Sequence, residues 1–376
     1  MADGRTRNSA PGPEGGSVLA LLGPSTGGIR RHVVELATRL RQRGWSVEIA
    51  GPHGVLEEPE VLDHCVDVPS PLGPARLVAA RRALTSAAAG AQLIHAHGLK
   101  AGWLAASLRS RSPLVVTLHN VVLPEVAGAA APVLHRLELA LPARCDATVA
   151  VSNEMARRLV GVPGGGRVTV VAPVAPTPRV RVPAGQARAS VGARPGQPLV
   201  VSVGRLHPQK GHDTLIDAAG ILARRRPEVR VVIVGDGPSH DSLARRVQRL
   251  GLEEVVALVG SRPSGADTLA AADVVALASR WEGWPLVVAE AIQLGRPVVA
   301  TAVGGIPEMV EDGVSGWLVP PGSPDALALS LEAALADPGL AMGRAEAART
   351  RFNERYDADN LVERVESVYR DVLERA

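Results

Sequence analysis

The sequence predicts an α/β protein made of two doubly wound parallel-sheet domains. Three observations lead there. Short Val/Ile/Leu runs alternate with amphipathic stretches along most of the chain, a proline-dense segment splits that alternation into two series, and the residues richest in chemistry follow the apolar runs. Continuous apolar strands bounded by helices mark a parallel sheet covered on both faces, and such sheets take ligands at the carboxyl ends of their strands.

The first series predicts strands at 18–22, 47–50, 93–95, 114–118 and 147–151, with a helix over 29–43 after the first. The run VAPVAPTPRVRVP (171–183) carries Pro173, Pro176, Pro178 and Pro183, which no central strand or helix interior tolerates, so it reads as a linker. A second series follows at 199–203, 229–234, 255–259, 273–277 and 297–301. Beyond Asp325 the pattern is helical, and a last helix over 360–374 is long enough to cross back onto the first domain. The expected organisation is a disordered tail at 1–16, an acceptor-side domain at 17–172, a linker at 173–183, a nucleotide-binding domain at 184–355 and a C-terminal helical segment at 356–376.

Composition narrows the function. The 376 residues are 46% hydrophobic and 21% charged, a globular balance. Aromatics make up 2%, too few for stacking on nucleic acid, and no nucleic-acid partner is expected. Cys65 and Cys145 lie far apart and form neither a disulfide framework nor a zinc spacing, which fits a reducing, cytoplasmic setting. No apolar run approaches a membrane span, and Met1 to Gly16 lacks the apolar region of a signal peptide. Residues 1–180 hold 19 Lys and Arg against 13 Asp and Glu, the remainder 22 against 25, so the front half is the basic one. That surplus, with Arg76, Arg81 and Arg82 on one helix, leaves open peripheral contact with an anionic lipid surface at the inner face of the membrane. Only Lys100 and Lys210 among the 41 basic residues are not Arg.

Two loops carry the strongest chemistry. In VGRLHPQKG (203–211), Arg205 can grip phosphate oxygens bidentately, Lys210 adds a compact charge, and the following helix start favours anions. The plain alternative is a solvated strand-to-helix loop. In SRWEGWPLVVAEA (279–291), Glu282 precedes a helix expected near Leu286 and Glu290 lies a turn inside it. A carboxylate among Val, Val, Ala and Ala is costly unless it accepts hydrogen bonds, and vicinal sugar hydroxyls are suitable donors. A capping acid plus a surface Glu would explain Glu282 better than Glu290.

Weaker signals accompany them. Gly27 and Gly28, after the first strand, let backbone amides approach an oxyanion, but no GxGxxG is present and a dinucleotide dehydrogenase is disfavoured. His95, His97 and His119 end strands and face the expected cleft, His119 being the preferred acid/base or sugar-binding candidate against an ordinary structural role. Their spacing suggests no metal set. Gly304-Gly305 and the segment 312–319 read mainly as turn chemistry, with a place for the Gly304-Gly305 loop beside a donor sugar left open.

Taken in order, VGRLHPQKGHDTLIDA, VGDGP, SRWEGWPLVVAEAIQLGRPVVAT and GGIPEMVEDGVSGWLVPPGSPDAL resemble the GT-B-fold retaining glycosyltransferases of family 4, and the resemblance covers nearly the whole chain. It implies two Rossmann-like domains facing across a cleft and transfer of a hexose from a UDP- or GDP-linked sugar to a hydroxyl acceptor that the sequence does not identify. Carried over, it puts Arg205 and Lys210 on the diphosphate, Glu290 on the ribose and Glu282 on the sugar, with Gly283, Trp284, Pro285 and Leu286 along the donor. Gly27 and Gly28 would approach from the opposite domain, His119 would stand near the reactive centre and the loop at Arg262 would bound the nucleobase. Retention through a carboxylate nucleophile and front-face attack both remain open, the family favouring the latter, and no metal or other cofactor is expected. Trp284 stands where the family commonly has Phe, and the segment 27–32 departs from the enzymes that glycosylate inositol phosphate. A sugar-nucleotide epimerase of the same fold and a non-catalytic nucleotide-sugar binder are the alternatives.

Overall fold

A computed structural model describes residues 15–24, 27–54, 62–68, 74–108, 110, 112–122, 128–262 and 265–376. One parallel sheet comprises β1 (Ser17–Leu22), β2 (Ser46–Gly51), β3 (His64–Cys65), β4 (Leu93–His97), β5 (Leu114–Leu118), β6 (Ala147–Ala150) and β7 (Val168–Val170), in the order β3-β2-β1-β4-β5-β6-β7. The other comprises β8 (Leu199–Val203), β9 (Arg230–Val234), β10 (Val256–Leu258), β11 (Val274–Leu277), β12 (Val298–Thr301) and β13 (Trp317–Val319), in the order β10-β9-β8-β11-β12-β13. Both orders reverse beside the first strand of their series, between β1 and β4 and between β8 and β11. A parallel sheet opens a crevice at such a point.

All ten strands expected from the apolar runs are present. Three were not expected. β3 has two residues and β7 three, too short for an alternation to register. β13 corrects the end of the segment 312–319, read as turn chemistry: residues 313–315 do turn, with Gly313 at φ +76°, but Trp317, Leu318 and Val319 pair in register with Val299, Ala300 and Thr301. Its strand character was hidden by the glycines that precede it. Residues 171–183 form neither helix nor strand.

The central strands β1, β4, β5, β6, β8, β9, β11 and β12 are almost wholly buried, as expected of sheets covered on both sides, while the edge strands β3, β7 and β10 are partly exposed. After β13 come helices Pro324–Ala336, Pro338–Arg355 and Ala358–Leu373. The last packs on helix Gly28–Gln42 of the first unit. There Glu366, 2% exposed, accepts Trp45 Nε1 at 2.9 Å and pairs with Arg43 at 3.0 Å. Tyr369 meets the Trp45 ring edge-on and its hydroxyl lies 2.6 Å from His95 Nδ1. A buried carboxylate is tolerable here because charged and neutral donors both satisfy it.

Of the tail expected at 1–16, residues 1–14 lie outside the described residues. Gly15 and Gly16 do not belong to a free tail: Gly15 N donates to Gly44 O and Ser46 N to Gly16 O. Arg76 and Arg82 are exposed and Arg81 half-buried on helix Pro74–Ala87. Among the described residues no helix is long and apolar enough to cross a membrane.

Candidate functional site

A cleft of about 590 Å³ runs between the carboxyl ends of the two sheets. Its size lies within the range of small-molecule sites. One wall comes from the loops after β8 and β11, the other from the loops after β1, β4 and β5.

In the first wall, β8 ends at Val203 and the chain turns through Pro208–Lys210 before the helix His212–Ala223. Lys210 Nζ lies 2.7 Å from Glu282 Oε1, and Ser279 Oγ donates to the same oxygen at 2.6 Å. Two further bonds tie the loops together, Gln209 Nε2 to Trp281 O and Arg280 N to Gln209 O. Glu282 is 3% exposed, so this pairing offsets the cost of holding its charge out of water. Gly304, at φ +58°, passes so close that an added Cβ would stand 1.5 Å from Glu282 O. No side chain fits there, so the Gly304-Gly305 pair does more than make a turn, letting the loop after β12 support the Glu282 backbone.

Glu290 sits on helix Leu286–Gln293, 4% exposed, and pairs with Arg31 from helix Gly28–Gln42 across the cleft. The two halves also touch through backbone. A Cβ on Gly283 would fall 1.9 Å from His119 O, and Asn153 donates through its backbone N and its side chain to Glu308 at 2.7 and 2.6 Å.

The opposite wall is a set of buried imidazoles. His97 Nδ1 lies 3.1 Å from His119 Nε2, His32 Nδ1 lies 3.3 Å from Val174 O, and His95 bridges Thr117 Oγ1 and Tyr369 Oη. Burial is the largest cause that depresses all four: His32 to about 4, against a partial opposing effect of the Val174 carbonyl, and His95 to about 3, helped by repulsion from His32. His97 and His119 also stay far below the ordinary imidazole range, each further lowered by its histidine neighbours. At neutral pH these four rings are uncharged. On the other wall His207 is lowered too, by burial and then by Arg205 and Lys210.

The candidates named from sequence fall as follows. Gly27, Gly28, His119, Arg205, Lys210, Glu282, Gly283, Trp284, Leu286 and Glu290 all border the cleft. Arg205 is exposed there, and Gly28 faces Leu286, with 3.7 Å from an added Cβ to Leu286 Cδ1. Pro285 caps the start of the helix that holds Glu290 and is buried behind the wall. Arg262 is not among the cleft residues, and its guanidinium donates to Ser190 O at 3.2 Å. Trp284 stacks edge-on against Tyr356 with centroids 4.7 Å apart, so part of its bulk is absorbed by the C-terminal helices. Ser25 and Thr26 lie outside the described residues.

Sequence reasoning missed Arg31, His32, Ser279 and Gln209. The available signal for the first two was their position on the first turns of the helix after the Gly27-Gly28 turn. Their partners, Glu290 and the strand-end histidines, are more than sixty residues away, and spacing alone could not join them.

Residues 185–351 match the family described as Glycosyl transferases group 1, and residues 26–178 match Glycosyltransferase Family 4. Relatives named D-inositol 3-phosphate glycosyltransferase include one from Nocardia farcinica, 35% identical over 334 residues (78% of this chain, 73% of the relative). One from Kribbella flavida is 35% identical over 374 residues, 85% of each chain. Among solved structures, Anabaena HepE in complex with UDP-glucose superimposes with a TM-score of 0.82 at 25% identity, covering 95% of this chain and 100% of that one. Sucrose-phosphate synthase from Thermosynechococcus elongatus gives 0.80 at 25%, covering 96% and 100%.

Proposed function

The chain belongs to the group 1 glycosyl transferases of GT-B fold, and from that premise we propose that it moves a hexose from a UDP- or GDP-linked sugar to a hydroxyl acceptor with retention of anomeric configuration. The observation that carries this reading is the convergence of Arg205, Lys210, Glu282 and Glu290 on one cleft facing His119. Arg205 and Lys210 take the diphosphate, where cations neutralise the charge that grows as the leaving group departs. The likeness to HepE, solved in complex with UDP-glucose, supports a uridine donor as the first to test.

Glu290 takes the ribose hydroxyls. To do so it must release Arg31, so the donor exchanges one cross-cleft contact for another. Glu282 receives both Lys210 and Ser279 on Oε1, which leaves Oε2 for a sugar hydroxyl. Both carboxylates are thus already engaged as hydrogen-bond and charge acceptors, an arrangement suited to holding hydroxyls and poorly suited to nucleophilic attack. That favours front-face transfer: the acceptor oxygen bonds to the anomeric carbon on the side from which the diphosphate leaves, and its proton passes to a departing phosphate oxygen. The enzyme contributes alignment and charge stabilisation. Because the chain's own cations meet the diphosphate, this reaction needs no metal.

For the acceptor, the relatives' names support an inositol phosphate, and Arg31 and Lys100 along the cleft suit a phosphate group. A thermal-shift panel of UDP- and GDP-sugars tests the donor. One nucleotide series should raise the melting midpoint in proportion to occupancy, and Glu290→Ala should abolish that rise. No shift with any donor, or transfer undiminished in Glu290→Ala, would overturn the reading. Product from D-inositol 3-phosphate, examined by NMR for the anomer formed, tests acceptor and stereochemistry together.

A further inference from the structure

Three imidazoles from three separate elements meet at the neutral wall. His32 lies on the second turn of helix Gly28–Gln42, His97 ends β4 and His119 follows β5. One nitrogen from each lies within 4.8 Å of the other two, all three residues are buried, and all three border the cleft. A packed, satisfied histidine cluster would leave no ring nitrogen idle. Here His97 Nε2 is buried without a hydrogen-bond partner.

We propose that His32, His97 and His119 form a binding site for a borderline transition-metal dication of the Zn²⁺ class, and that an ion held there blocks glycosyl transfer. Three neutral imidazoles with an open fourth position are a recognised zinc donor set, whereas Mg²⁺ and Ca²⁺ prefer oxygen ligands that this cluster lacks. The Val174 carbonyl beside His32 Nδ1 sets that ring's tautomer: a proton on Nδ1 leaves the Nε2 lone pair for a ligand bond. On a tetrahedral ion with Zn–N bonds of about 2.0–2.1 Å, two ligand nitrogens stand roughly 3.3 Å apart. His97 Nδ1 and His119 Nε2 are already 3.1 Å apart. The ion would take the place of the proton between them, which moves to the partnerless His97 Nε2 so that the ring stays a neutral ligand, and any wider gap in the trio must close by at most about 1.5 Å. Burial supports the site because it keeps the rings unprotonated, the state a ligand requires.

The blocking effect rests on the function proposed above, which puts the donor's reactive carbon beside His119. An ion bonded to that ring occupies the space and ties up the imidazole. The site therefore acts as an inhibitory one, and metal-free enzyme is the active form.

The test uses the full chain freed of metal by chelation. Equilibrium dialysis against Zn²⁺ should return one ion per chain, and Co²⁺ should develop the visible absorption of a tetrahedral site. His32→Gln and His97→Gln should each weaken binding at least about tenfold. No retained ion, or binding undiminished in both variants, overturns the site; the latter would point to surface groups such as His64 with Glu48. Because these substitutions alter a buried cluster, a crystal of the unmodified protein soaked in Zn²⁺ gives an independent reading. An anomalous peak within bonding distance of the three rings is expected, and a peak only elsewhere overturns the proposal. Transfer should fall at least tenfold across the same Zn²⁺ range that fills the site, and unchanged transfer would remove the blocking role. Lys210→Ala and Glu290→Ala should bind the ion normally, so failure of the donor assignment and failure of the metal site are separable.

Discussion

The two walls of the cleft solve opposite electrostatic problems. The wall from the second sheet holds the buried carboxylates, each matched to a cation: Glu282 with Lys210 of the same wall, Glu290 with Arg31 from across the cleft. The wall from the first sheet holds polar rings kept neutral, with His95 satisfied by Thr117 and Tyr369 and His119 by His97. The difference teaches where each part of a glycosyl donor can go. A diphosphate needs fixed positive charge, while a sugar at the point of transfer is better served by neutral groups that neither repel nor trap the ionic leaving group.

The sharpest way to break that contrast is Lys210→Ala. It removes the cation proposed for the diphosphate and leaves Glu282 buried with a smaller share of its partners, so transfer should fall by about a thousandfold in kcat/KM. Loss of less than tenfold would show that the charged wall does not carry the reaction.

On the neutral wall the expected effects are on stability. Tyr369→Phe deletes the hydroxyl against His95 Nδ1 and leaves a buried ring nitrogen unpaired, which should cost about 1–2 kcal/mol in denaturant unfolding. An unchanged midpoint would mean that the last helix does not support this wall.

The smallest effect sharpens the assignment of neutrality. Unfolded histidines take up protons below about pH 6.5. Folded His32 does so only near 4 and His95 only near 3. Between these values the unfolded chain binds more protons, so stability falls as pH drops from 6.5 toward 4. The melting midpoint should be a few degrees lower at pH 5 than at pH 7.5, with a shallower slope in His32→Gln. A flat profile would show that these rings charge freely in the folded protein.

Legibility in the sequence followed the range of the interactions. The strands at 18–22 or 199–203 announce themselves because their apolar residues are contiguous, and the helix start at Leu286 is marked by the Pro beside it. Lys210 and Glu282 were visible because each sits in a short loop of unusual composition, and Glu290 because it is a lone carboxylate in an apolar helix start. Trp317–Val319 does not read as a strand because its pairing partner, β12, lies across a glycine-rich loop. Arg31 and His32 were invisible for a related reason, since a charge on an amphipathic helix reads as solvated until its partner is known.

By itself the sequence determined the two parallel sheets, the loops that bear the chemistry and the family, because periodicity, turn residues and local motifs are properties of neighbours in the chain. Tertiary structure alone decided that Glu290 meets Arg31, that Gly304 makes room beside Glu282, that Arg262 turns to Ser190, and that three histidines from distant segments share one point. Those facts depend on how two sheets and a returning helix are set against each other, and contacts of that kind leave no local pattern to read.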